Sequence, residues 1–208
     1  MIAKTNSASV LGIDAHPVDV EVDVSIGLST FNIVGLPDGT IKESRDRVTA
    51  AVTNSGFNFP VRWIVVNLVP AALRKIGSGF DLPIALALLG ALRYFPEQVL
   101  EKVMVVGELS LDGAIRPIRG ILPVAVAARD HGFEQLILPK ANEAEAAVVE
   151  EVRRVPVSTL DEVVRYLHGK EEIKPTAYNP RRLFEKKRSS EKISRTSRDR
   201  SMSKGRLK

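Results

Sequence analysis

The chain has 208 residues, a formal net charge of +5, no cysteine, and 44% apolar against 26% charged residues. That size suits one domain with an appendage, and the apolar share supports a real core. The lack of cysteine excludes disulfides, thiolate metal sites and thiol catalysis.

The charge is not spread evenly. Residues 181–208 hold twelve Lys or Arg and three acidic residues, a net of +9, while residues 1–180 hold eighteen basic and twenty-two acidic, a net of −4. The chain therefore reads as a mildly acidic globule with a basic tail. No basic region followed by an apolar run opens it, so no signal peptide is read. The longest apolar-rich stretch, Leu82–Leu92, is far too short to span a bilayer. The expectation is a soluble, cytoplasmic protein with no membrane partner.

Residues 8–13 predict a first strand, with a turn at Asp14-Ala15-His16-Pro17. Over 17–28, Val18, Val20, Val22 and Val24 alternate with Asp19, Glu21, Asp23 and Ser25, a period of two with one buried and one wet face. Thr30–Val34 predicts a third strand, ended by Gly35-Leu36-Pro37-Asp38-Gly39. A helix then opens on Thr40 and Glu43, which fit a capping box, and closes at Ser55-Gly56. Residues 61–69 predict a strand ended by Pro70.

Asp81 reads as the cap of a second helix, with Pro83 in its first turn, where no N–H is missed. That helix is apolar nearly all round and should be buried. Residues 103–110 predict a strand, Asp112-Gly113 a hairpin turn, and 114–118 the returning strand. A helix over 121–131, a strand over 133–138, a short helix over 143–149, a strand over 153–157 and a helix over 160–167 complete the order. Strands first, then mixed elements, predict one α+β sandwich over residues 1–170. Residues 171–180 read as a linker. From Arg181 onward Ser, Arg and Lys dominate without hydrophobic period, which predicts a disordered tail.

Few motifs carry chemistry. Lys75-Ile76-Gly77-Ser78-Gly79-Phe80-Asp81 lacks the closing Gly-Lys-Ser/Thr of a phosphate-binding loop, and reads as a tight turn feeding a helix. His16, His131 and His168 are isolated, so no metal site is expected. The carboxylates of Asp19, Glu21 and Asp23 share a strand face without converging, as a solvated face does.

A longer series is more informative. Val34-Gly-Leu-Pro-Asp38, Glu43-Ser-Arg-Asp-Arg47, Asn54-Ser-Gly-Phe57, Val66-Asn-Leu-Val-Pro70 and Phe80-Asp-Leu-Pro-Ile-Ala85 occur in that order. Gly107-Glu-Leu-Ser-Leu-Asp-Gly113, Pro117-Ile-Arg-Gly120 and Leu138-Pro-Lys140 follow. Over residues 2–170 this series resembles the amino-terminal domain of the ComM/YifB family, the Mg-chelatase-like proteins. The resemblance implies a ribosomal S5 domain 2-like fold, similar to the proteolytic domain of Lon. It implies that an AAA+ ATPase follows in the complete family protein, a hexameric motor of DNA branch migration in natural transformation. ATP and Mg belong to that motor, so no cofactor is expected in this chain. The expectation is a chain cut off before the motor, with a tail that reads as out-of-frame sequence or a deliberate short ending.

The resemblance to Lon also raises a Ser-Lys dyad, in which a lysine of lowered pKa takes the serine proton. The Lon serine motif aligns with Gly77-Ser78-Gly79-Phe80-Asp81, which puts Gly79 at the nucleophile position. The lysine position falls on Leu122, and Lys75, Lys102 and Lys140 lie elsewhere. The expectation is a non-catalytic accessory domain, neither peptidase nor ATPase by itself. Two alternatives remain: a Ser-Lys peptidase using Ser78 or Ser110, and a small nonspecific DNA-binding protein acting through its tail. Within the globule, Arg45, Arg47, Arg74 and Lys75 are the candidate nucleic-acid contacts, because Arg and Lys pair with phosphates. Arg45 and Arg47 read equally as a solvated helix face, with Glu43 and Arg47 spaced for an i,i+4 pair.

Overall fold

The computed structural model describes residues 1–176. The expected tail over 181–208 and the end of the expected linker lie outside the described residues.

A ten-residue strand, β1 (Ile2–Leu11), turns into the twelve-residue β2 (Asp14–Ser25), and β3 (Thr30–Val34) follows. Two helices, α1 (Gly39–Lys42) and α2 (Ser44–Asn54), lead to β4 (Trp63–Val69). A 3₁₀ turn at Ser78–Phe80 runs into α3 (Asp81–Ala91). Then come β5 (Val103–Val105), the short hairpin β6 (Glu108–Leu109) and β7 (Ile115–Arg116), and α4 (Ile121–Asp130). Finally β8 (Gln135–Pro139), α5 (Glu143–Ala146), β9 (Arg153–Val157) and α6 (Leu160–Leu167) close the unit.

Seven strands form one mixed sheet in the order β3-β4-β2-β1-β5-β8-β9. The pairs β1–β2 and β2–β4 are antiparallel, and the other four are parallel. Helices are on both sides, giving the mixed α and β architecture that the order of elements predicts.

The alternation in β2 decides how the sheet is covered. Val18, Val20, Val22 and Val24 lie at 1% exposure or less and pack with Ile64 and Val66 of β4 in one core with α2 and α3, a core that continues to α6 beside β9. Every residue of α3 is buried, as its unbroken apolar run requires. A smaller core lies on the opposite face, where Met104, Leu136 and Leu138 meet Val124 and Ala128 of α4 and Ala146 of α5. Over β2 and β4 that face is only half-buried. There Asp19 pairs with Lys4 at 2.5 Å and Glu21 accepts from Asn67 at 2.9 Å.

Several boundaries differ from the sequence expectation. The first turn is Gly12-Ile13, with Gly12 at φ +66°, the left-handed conformation that tight hairpins need. Pro17 is therefore inside β2, tolerated because the second neighbour, β4, pairs only from Asp19 onward. Thr40 is not a cap: Asp38 caps α1 by accepting from Ile41 N at 2.9 Å, while its other oxygen accepts from Gly77 N at 3.1 Å. Asp81 does not cap α3 either; its carboxylate turns toward α2. The strand expected over 103–110 breaks after β5. There Gly107 N bonds Gly79 O and Gly107 O accepts from Leu82 N, drawing the chain off the sheet toward the start of α3. The helix expected over 143–149 shrinks to α5. Residues 171–176, the start of the expected linker, pack back onto the body: Ile173 is buried and Thr176 bonds the Glu143 carboxylate.

Candidate functional site

Three segments converge at the start of α3: the first turn of α2, the turn Lys75–Phe80, and the hairpin β6–β7. Ser44 and Arg47 lie one turn apart on α2 and so face the same way. Both reach Asp81, which has no exposed surface. Arg47 Nε donates to Asp81 Oδ2 at 2.7 Å and Nη2 to Oδ1 at 3.0 Å, a two-pronged pair. Ser44 Oγ donates to Oδ1, and the Leu109 backbone N–H donates to Oδ2 at 3.2 Å. One carboxylate thus ties α2, α3 and β6 together. Burial pushes the Asp81 carboxyl above its ordinary value, while Arg47, Ser44 and Leu109 pull it back. The hydrogen bond to Asp81 raises the Arg47 guanidinium in turn.

Lys75 is also fully buried, and among the described residues it has no carboxylate partner. Its Nζ donates to Gly35 O at 2.8 Å, to Leu68 O at 2.9 Å and to Pro70 O. This closes the ends of β3 and β4 around one ammonium. Glycine is required at position 35: φ is +96° and a Cβ there would stand 2.1 Å from Leu68 O. Burial lowers the Lys75 pKa.

The serine positions raised by the sequence have other partners. Ser78 Oγ donates to Glu108 Oε2, not to a lysine. Ser110 Oγ donates to Ala114 O at 3.1 Å and accepts from Arg116 Nε at 2.8 Å. At Gly79, the aligned nucleophile position, a Cβ would meet Ile118 at 3.6 Å, and Leu122 is partly exposed on α4. Among the described residues, no group of three or more His, Asp or Glu is placed to hold a metal ion. Nor is any helix long and apolar enough to cross a membrane.

The four candidate nucleic-acid contacts separate into two pairs. Arg47 and Lys75 turn inward and spend their donors on Asp81 and on backbone carbonyls. Arg45 and Arg74 are exposed, Arg45 lying 3.9 Å from Asp46. The cluster around Asp81 was not legible as a site in the sequence. Its signal is an acid beside an apolar helix, the same signal a cap gives.

Comparison with known proteins relates the chain to a family. The model of the family described as subunit ChlI of Mg-chelatase matches residues 20–142. The uncharacterized protein YifB of Escherichia coli is 40% identical over 174 residues, covering 82% of this chain and 34% of YifB. The competence protein ComM of Haemophilus influenzae is 39% identical over 172 residues, covering 83% of this chain and 34% of ComM. The Lon protease of Brevibacillus choshinensis is 27% identical over 168 residues, 75% of this chain and 21% of that protein. The chain spans about a third of the length of YifB and ComM.

Proposed function

The chain belongs to the Mg-chelatase-like family that includes YifB and ComM, and from that premise we propose that it is a Lon-like accessory domain without peptidase chemistry. Its fold in this reading is of the ribosomal S5 domain 2-like class. One observation carries the loss of chemistry: the hydroxyl of Ser78 bonds a carboxylate, while the nearby Lys75 gives its ammonium to backbone carbonyls. A Ser-Lys dyad needs a lysine free to accept the serine proton. Leu122, at the aligned lysine position, has no basic atom.

The domain then acts as a scaffold. Its partner is the AAA+ motor portion of the complete family protein, to which ATP, Mg and hexamer formation belong. A role in DNA processing rests on the name of ComM, a competence protein. Within the globule, Arg45 and Arg74 are the exposed cations this role would use against phosphates.

A serine-reactive fluorophosphonate, applied alongside a quenched peptide substrate, tests the reading. We expect neither labelling nor hydrolysis. Labelling that disappears in Ser78→Ala or Ser110→Ala overturns the proposal. Fluorescence anisotropy with duplex DNA, titrated with salt, reads the second part. The Arg45→Glu/Arg74→Glu double variant should bind more weakly, whereas unchanged affinity assigns binding to the basic tail.

A further inference from the structure

The two edges of the sheet are built differently. One edge, β9, reads Arg-Arg-Val-Pro-Val, with Arg153 exposed and Pro156 lacking an N–H. Charges and proline are the usual guards against pairing with another chain. The other edge, β3, reads Thr-Phe-Asn-Ile-Val and has neither. From Ile26 to Pro37 the sequence holds twelve residues without a single charge. Among the described residues, no backbone hydrogen bond from another element reaches the outer side of β3.

The register of β3 says which groups are open. Thr30 N donates inward to Arg62 O, so Thr30, Asn32 and Val34 direct their backbone toward β4. Phe31 and Ile33, in alternation, direct their N–H and C=O outward. Apolar side chains flank the edge at both ends. Ile26 and Leu28 are 91% and 84% exposed before it, and Val34 and Leu36 are 45% and 57% exposed at and after its end.

We propose that β3 is a self-association edge, pairing antiparallel with β3 of a second copy about a two-fold axis at Asn32. This register opposes Phe31 to the partner's Ile33 and Ile33 to the partner's Phe31, each pair exchanging both its backbone hydrogen bonds. Asn32 meets the partner's Asn32 across the axis. The same symmetry lays Leu28 beside the partner's Leu36 and Thr30 beside the partner's Val34, so exposed apolar side chains at both ends of the strand are covered at once. A second copy fits where a charged partner would not, because neither edge carries a charge to answer one. The contact is isologous and closes on itself, giving a dimer and not a fibre.

Sedimentation of the full 208-residue chain at physiological salt tests this. Over a dilution series, a reversible transition should appear between 22.8 kDa and twice that mass. Asn32→Asp and Asn32→Lys each place like charges directly opposite, which should raise the midpoint concentration by about fivefold or more. An equimolar mixture of the two variants should restore the dimer. Asn32 is exposed, so both variants should keep the melting temperature of the monomer. Amide exchange at Phe31 and Ile33 should slow as concentration rises. The proposal is overturned by a chain that stays monomeric throughout, by an oligomer whose midpoint ignores both substitutions, or by a mixture that fails to recover.

Discussion

Arg47 and Lys75 are two cations turned into the same protein by opposite means. Arg47 meets a carboxylate, Asp81, through two parallel hydrogen bonds, and its guanidinium is held charged more firmly than usual. Among the described residues Lys75 meets carbonyl oxygens alone, from Gly35, Leu68 and Pro70, and burial makes its ammonium easier to discharge. The first arrangement is a pair of charges whose loss on one side strands the other. The second is one charge solvated by dipoles, which stand in for the water it lost. Arg47 thereby fastens helices to each other, and Lys75 fastens strand ends.

The largest effect should come from breaking the charged pair. Asp81→Ala leaves Arg47, Ser44 Oγ and the Leu109 N–H without their shared acceptor in a buried place. A loss of about 3–5 kcal/mol is expected, read by urea unfolding. Replacing both partners, as in Asp81→Leu with Arg47→Met, should recover much of it, because no charge is then stranded. A single-variant loss under about 1 kcal/mol would mean that Asp81 does not join α2, α3 and β6 energetically.

Much of the fold was legible in the sequence where the pattern is local. The valine alternation of β2 and the all-apolar α3 follow from neighbours a few positions apart, and the structure keeps both. The failures share a different cause. Thr40 looked like a cap, but the true cap, Asp38, is chosen partly because its second oxygen serves Gly77, thirty-nine positions away. Asp81 looked like a cap because the acceptors of a helix start are local, whereas Arg47 reaches it across thirty-four positions. Lys75 reads in sequence as a surface cation, since nothing nearby announces that three strand-end carbonyls will converge on it. Of the candidate site, the aligned serine and lysine positions were legible, and the hydrogen bond from Ser78 to Glu108 was not.

The carbonyl-held cation should give a smaller loss and a different pH signature. Lys75→Met keeps the length of the side chain and removes its donors, leaving three carbonyls short of a partner. About 1–3 kcal/mol of destabilisation is expected. The folded pKa of Lys75 lies below its ordinary 10.5. Between those two values the unfolded chain keeps a proton that the folded chain has released, so this group's contribution to stability rises with pH. The stability gap between the parent and Lys75→Met should therefore widen as pH climbs toward 10.5, measured by urea unfolding at each pH. A gap that narrows over that range would contradict a burial-lowered ammonium.

The smallest effect belongs to the contact that the sequence made easiest to see. Glu43 and Arg47 have the i,i+4 spacing of a helical ion pair, and they do approach, at 3.6 Å. Yet Glu43 is 75% exposed, and water and salt weaken such a contact. Arg47 Nε lies 2.7 Å from Asp81 at the same time, so its direction is already decided by the buried partner. Glu43→Gln should change stability by no more than about 0.5 kcal/mol and should lose even that at high salt. In an Asp81→Ala background the same substitution should cost more, because Arg47 is then left to its weaker carboxylate neighbours, Glu108 and Glu43, to answer its charge. A double-mutant cycle reads the difference directly. If Glu43→Gln alone proved as damaging as Asp81→Ala, Arg47 would be a surface cation held by its own helix, and its contrast with Lys75 would disappear.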